Sequence, residues 1–129
     1  MSESLKYAPL TLAYIGDSVH TLFVRERVIG HTDKKVHDLH VLTSRYVKAS
    51  AQAKAVHALL PELSEEEEAI YKRGRNAKSA TVPKNAYVAD YRAATGFEAL
   101  VGALYIDGKK ERLGEILERS MEIINTEDN

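Results

Sequence analysis

Two carboxylates stand in segments where a charge is expensive. Asp17 lies in Leu12-Ala13-Tyr14-Ile15-Gly16-Asp17-Ser18-Val19. Glu98 lies in Thr95-Gly96-Phe97-Glu98-Ala99-Leu100-Val101-Gly102-Ala103-Leu104-Tyr105-Ile106-Asp107, the most apolar stretch of the chain, and is its only charge before Asp107. A carboxylate in such surroundings costs free energy unless it is paired, hydrogen-bonded or bound to a metal. Small residues flank both: Ala13 and Gly16 in the first segment, Gly96, Ala99, Gly102 and Ala103 in the second. An ordinary reading stays open for each. Asp17 could face solvent or cap a helix restarting at Ser18, and Glu98 could sit in a first helical turn favoured by the macrodipole. Taken together, the two segments permit a sharper reading, in which both carboxylates converge on a hard cation. Mg²⁺ takes one or two carboxylates, keeps several waters and uses substrate phosphate for the rest. An ion held in this way can activate water and stabilise the leaving oxygen in phosphodiester hydrolysis.

A basic segment supplies what the carboxylates cannot. From Lys72 to Lys84 there are five positive residues and no acidic one, directly after the acidic run Glu65-Glu66-Glu67-Glu68. Such asymmetry suits a phosphate-binding patch even though the net charge is only −1. Arg73, Arg75, Lys78 and Lys84 can neutralise phosphates, and Asn76, Ser79, Thr81 and Asn85 can donate to phosphate oxygens or ribose hydroxyls. A solvated surface loop is the competing reading. The five histidines form no metal motif; His37 and His40 share a helix face without a third ligand, so all five are read as surface or RNA-edge residues. The run Glu65 to Glu68 is read as a solvated first helical turn.

These residues need elements to position them, and the spacing predicts helices throughout. Alternating apolar and polar runs are almost absent, whereas helical periodicity recurs. The first helix is expected from Pro9 to about Val28, stopping before Gly30, with an apolar stripe of Leu12, Ile15, Val19, Leu22 and Phe23. A second runs from about Lys35 to Leu60 and ends at Pro61. A third opens with the capping box Ser64…Glu67 and frays near Gly74, leaving Arg75 to Pro83 as loop. A fourth covers about Asn85 to Ile106, with Gly96 marking the point where it could break. The last carries Leu113, Ile116, Leu117, Met121 and Ile124 on one face. The expectation is an all-α fold, a compact bundle of five or six helices in a single domain over residues 1–129. At 129 residues and 44% apolar content the chain can bury a core without disulfides or a structural metal. It has no cysteine, which removes disulfide scaffolds, thiolate zinc sites and thiol nucleophiles. No apolar run approaches the roughly 20 residues of a membrane span, and there is no basic-then-apolar signal pattern. A soluble cytoplasmic protein is expected.

With these residues in view, the sequence resembles a known family. Tyr14-Ile15-Gly16-Asp17-Ser18-Val19 is similar to the signature helix of ribonuclease III, and Phe97 to Asp107 to that family's second acidic motif. Arg73-Gly74-Arg75-Asn76-Ala77-Lys78-Ser79 and Val82-Pro83-Lys84-Asn85 resemble the loop of mini-ribonuclease III, the branch lacking a double-stranded-RNA-binding domain. The resemblance spans about Leu10 to Leu117. It implies a homodimer of all-α endonuclease domains, Mg²⁺ dependence, staggered cuts in double-stranded RNA, and maturation of large-subunit (23S) ribosomal RNA precursor ends. It implies Asp17 and Glu98 as catalytic metal ligands. Larger relatives carry a Glu where this chain has Ala13 and an Asp where it has Thr95, so four carboxylates have become two. Two other functions compete: a non-catalytic double-stranded-RNA-binding dimer, and an all-α nucleotide pyrophosphohydrolase with its metal on Glu62, Glu65 and Glu66.

Overall fold

The computed structural model describes residues 2–31, 35–78 and 87–127, and among them only helices and turns occur. Six α-helices follow a short 3-10 turn at Glu3–Lys6. They are α1 (Pro9–His31), α2 (Val36–Val47), α3 (Ala49–Leu59), α4 (Glu65–Asn76), α5 (Val88–Ile106) and α6 (Lys110–Glu127).

The apolar motif around Glu98 becomes the axis of the bundle. From Ala93 to Leu104 every residue of α5 except Glu98 is buried. A helix apolar on all sides must be surrounded, and α1, α3, α4 and α6 all pack against α5. Its stretch Phe97, Leu100, Val101 and Leu104 joins Leu12, Val56, Leu59, Tyr71, Ile116 and Leu117 in one core. The helix passes through Gly96 without a break. There the missing side chain admits Tyr71, whose ring would lie 2.7 Å from an added Cβ.

Other boundaries also differ from expectation. α1 continues through Gly30 to His31, and α4 reaches Asn76, two residues past Gly74. The long second helix is in fact two. Lys48 takes an extended conformation (φ −64°, ψ 154°), capping α2 and starting α3. No glycine or proline marks that point. The bend leaves α2 with Thr43 as its buried residue, while Ala51, Ala53, Ala55, Val56 and Leu59 of α3 turn inward. On α1 the inward line is Leu12, Ala13, Gly16, His20, Val24 and Val28, and Leu22 is 59% exposed.

The capping box at Ser64 and Glu67 forms as expected. Glu67 is buried rather than solvated, because it also accepts from Arg112 at 2.8 and 2.9 Å. That bond, above all, holds its carboxyl below the usual carboxylate range. Arg112 also donates to the Glu62 carbonyl at 2.8 Å, so one side chain ties the start of α6 to the start of α4. At the other end of the bundle Asp107 accepts from the Ser4 amide and hydroxyl at 2.8 and 2.7 Å, fastening the N-terminal turn to the end of α5.

Candidate active site

The paired carboxylates are brought together by a backbone crossing. A Cβ on Gly16 would collide with the Glu98 carbonyl, and one on Gly102 with the Leu12 carbonyl. Side chains at these positions would force α1 and α5 apart. With glycine at both, Asp17 of α1 comes within hydrogen-bonding reach of Glu98 of α5. Asp17 is exposed and Glu98 half-buried, so the pair opens to solvent at one edge.

Burial, the hydrogen bond to Asp17 and the charge on Asp17 push the Glu98 carboxyl up to about 8. Desolvated and beside the Asp17 charge, the Glu98 carboxyl keeps a proton when nothing else is present. A divalent cation replaces that proton with a better partner, so this donor set fits a hard, oxygen-preferring ion such as Mg²⁺. No group of three or more His, Asp or Glu side chains suited to a metal occurs among the described residues. Any ion held by Asp17 and Glu98 would draw its remaining ligands from water and substrate.

The positions suggested as vacated carboxylate sites are buried and satisfied. Ala13 belongs to the core. Thr95 is 8% exposed and its hydroxyl donates to the Tyr91 carbonyl at 2.9 Å.

Sequence reasoning missed two polar neighbours. His20 is not a surface or RNA-edge residue: it is 1% exposed, one turn after Asp17, with its ring edge-on to Phe97 at 5.1 Å. Burial holds the imidazole down to about 4 despite the opposing charge of Asp17. Gln52 of α3 is 2% exposed, and its Nε2 contacts His20 Nδ1 at 2.9 Å and Glu98 Oε2 at 3.4 Å. A glutamine within the small-residue run Ala49 to Ala53 is the available signal. His37, His40 and His57 are exposed as expected.

A second crossing of α5 positions the cations. A Cβ on Gly74 of α4 would lie 2.7 Å from Ala99 Cβ and 2.9 Å from Gly96 Cα. Around it opens a cleft of about 330 Å³ lined by Arg75, Lys78, Tyr91, Arg92 and Thr95, the last only three residues before Glu98. Arg75 is half-buried, stacks over Tyr71 at 5.6 Å and donates to Asn76 Oδ1 at 3.0 Å. Arg73, Asn76 and Lys78 are exposed. Arg75 and Asn76 belong to the last turn of α4 rather than to a loop. Lys72 pairs with Glu68 at 3.2 Å, so it is not among the free cations of the patch. Arg92 was overlooked because it lies outside the basic run. Ser79, Thr81, Lys84 and Asn85 lie outside the described residues.

The alternative metal set disperses. Glu62 accepts from Arg119 at 3.1 Å and Glu66 pairs with Lys109 at 3.9 Å, so Glu62, Glu65 and Glu66 form no cation site.

The family model for the ribonuclease III domain matches residues 10–109. The chain is 48% identical over 124 residues to Mini-ribonuclease 3 of Symbiobacterium thermophilum, covering 96% of this chain and 95% of that protein. It is 50% identical over 120 residues to Mini-ribonuclease 3 of a Thermoanaerobacter species, covering 93% and 84%. Among solved structures, an X-ray structure of a Fusobacterium nucleatum protein superposes with a TM-score of 0.84 at 28% identity, covering 95% of this chain and 98% of that one.

Proposed function

The chain belongs to the ribonuclease III domain family and is an endoribonuclease, and on that premise we propose that it hydrolyses double-stranded RNA with Mg²⁺ at Asp17 and Glu98. The observation that carries this reading is the meeting of those two carboxyls across the α1–α5 crossing. When bound, the ion would supply charge stabilisation at the phosphate and an activated water. Asp17 and Glu98 orient it. Glu98, set back from solvent, would hold the ion as a carboxylate, its proton released to water. Arg73, Arg75 and Lys78, with Asn76 beside them and Ser79, Lys84 and Asn85 further along, take the phosphates and ribose hydroxyls of the duplex.

The physiological substrate we propose is a large-subunit (23S) ribosomal RNA precursor, processed in the cytoplasm. No helix among the described residues is long and apolar enough to cross a membrane. Two-strand cleavage suits a homodimer, whose two-fold axis relates one site to each strand. In support, an apolar groove of about 660 Å³ lined by Val19, Leu22, Phe23, Tyr105 and Leu113 runs along α1, α5 and α6. Sedimentation as a 14.4 kDa species at micromolar concentration would overturn the dimer.

The decisive experiment incubates duplex RNA with the wild type and with Asp17→Asn, with and without Mg²⁺. The variant is expected to lose about a thousandfold in kcat, equivalent to about 4 kcal/mol of transition-state stabilisation, and to retain RNA binding. Normal cutting by Asp17→Asn would show that the roles are misassigned. Duplex binding without any Mg²⁺-dependent cleavage by the wild type would favour the non-catalytic RNA-binding reading.

A further inference from the structure

Three elements converge behind Glu98. Its side chain comes from α5, Gln52 from α3, and His20, one turn after Asp17, from α1. Gln52 and His20 are almost wholly buried, and the core continues past them into Phe97. Two interior polar side chains beside an active carboxylate need a reason, because apolar residues would fill the same space without the cost of burying a dipole.

The hydrogen-bond polarity supplies one. Gln52 Nε2 faces two acceptors, His20 Nδ1 at 2.9 Å and Glu98 Oε2 at 3.4 Å. An amide group has two N–H donors, so both contacts can be met at once. With Glu98 ionised, as a bound cation would keep it, an amide turned over would set its oxygen against the carboxylate and the contact would be repulsive. Donation to both acceptors requires the His20 proton to sit on Nε2, leaving Nδ1 as a lone pair. Nε2 then carries its proton with no protein acceptor, a cost that the two bonds from the Gln52 amide offset. The packing of the ring edge against Phe97, the residue before Glu98, fixes its plane.

We propose that Gln52, braced by the His20 imidazole, is a positioning residue that holds the Glu98 carboxylate in the orientation that meets Asp17 and a bound cation. A glutamate has three side-chain torsions to fix, and fixing them beforehand removes that loss from the binding step. Outer partners of metal ligands commonly act in this way. The proposal rests on Asp17 and Glu98 being the cation-binding pair.

The test has one measurement on the wild type and one on a variant. The ¹⁵N spectrum of the His20 ring in the intact, Mg²⁺-loaded protein is expected to show protonated Nε2 and unprotonated Nδ1. A proton on Nδ1 would forbid donation from Gln52 and overturn the proposal without any mutation. Gln52→Met keeps the volume and removes the donor. Its Mn²⁺ dissociation constant, measured without RNA by electron paramagnetic resonance, is expected to rise roughly tenfold to a hundredfold. At subsaturating Mg²⁺ kcat is expected to fall with it, while KM for duplex RNA stays unchanged. Wild-type Mn²⁺ affinity in a folded Gln52→Met would overturn the positioning role while leaving the carboxylate pair intact. Failure of the pair itself would look different: the wild type would bind no Mn²⁺, or Asp17→Asn would bind it as the wild type does.

Discussion

α5 is crossed twice at small residues, and the two crossings are built alike but equipped oppositely. At Gly16 and Gly102 the backbones of α1 and α5 touch, and the flanking side chains are the carboxyls of Asp17 and Glu98. At Gly74 and Gly96 the close approach is between α4 and α5, and the flanking side chains are cations, Arg75, Lys78 and Arg92. The first crossing concentrates negative charge in a partly desolvated corner, which raises its affinity for a proton or a metal ion. The second leaves its cations near solvent, where they can meet phosphate without first being dehydrated at great cost. Small residues thus do the same geometric task twice, and the charges beside them divide the work between binding a cation and binding an anion.

The comparison breaks most visibly if the first crossing is forced open. Gly102→Ala places a methyl group into a backbone carbonyl of α1 and is expected to destabilise the protein by about 3 kcal/mol. It should also abolish cleavage by separating Asp17 from Glu98. Gly74→Ala meets Ala99 Cβ at 2.7 Å and the Gly96 backbone at 2.9 Å, a milder overlap than that of Gly102 with the Leu12 carbonyl, and gains helix propensity, so a smaller loss of about 2 kcal/mol is expected. Urea unfolding of both variants measures the difference; an equal or larger loss at Gly74 would refute the ranking.

The second crossing should respond through substrate affinity. Arg73→Ala and Lys78→Ala are each expected to raise KM for duplex RNA several-fold, acting on KM more than on kcat. Each should also reduce the steepness of the log–log salt dependence by about one unit. Steady-state cleavage between low and physiological salt checks this, and an unchanged slope in both variants would remove these residues from the phosphate contacts.

The smallest effect is a pH dependence of stability in metal-free protein. Glu98, pushed up to about 8, keeps in the folded state a proton that the unfolded chain releases near 4.5, so stability is lost as pH rises toward 8. His20, held down to about 4, refuses a proton that the unfolded chain binds near 6.5, so stability is lost as pH falls from 6.5 toward 4. The two slopes oppose one another below 6.5, and only the Glu98 slope remains between 6.5 and 8. Melting should therefore fall by a few degrees from pH 6.5 to 8, and Glu98→Gln should flatten that fall. Parallel wild-type and variant curves over this range would disprove the coupling.

The sequence by itself determined the helical class, the capping box at Ser64 and Glu67, the apolar face of α6 and the oddity of Asp17 and Glu98. These are local facts: periodicity, a three-residue spacing, and a charge in apolar company, each set by neighbours within a turn or two. Tertiary structure decided the rest. The break at Lys48 carries no glycine or proline, because it is forced by where α3 must pack. Gly96 and Gly74 look like helix breakers but serve as contact points, a role visible only once Tyr71 and Ala99 lie opposite them. The burial of Glu67 depends on Arg112, 45 residues away. Asp17 and Glu98, 81 residues apart in the chain, were individually conspicuous in the sequence. Their meeting, and the inward placement of His20 and Gln52 behind them, depended on backbones allowed to touch at Gly16 and Gly102.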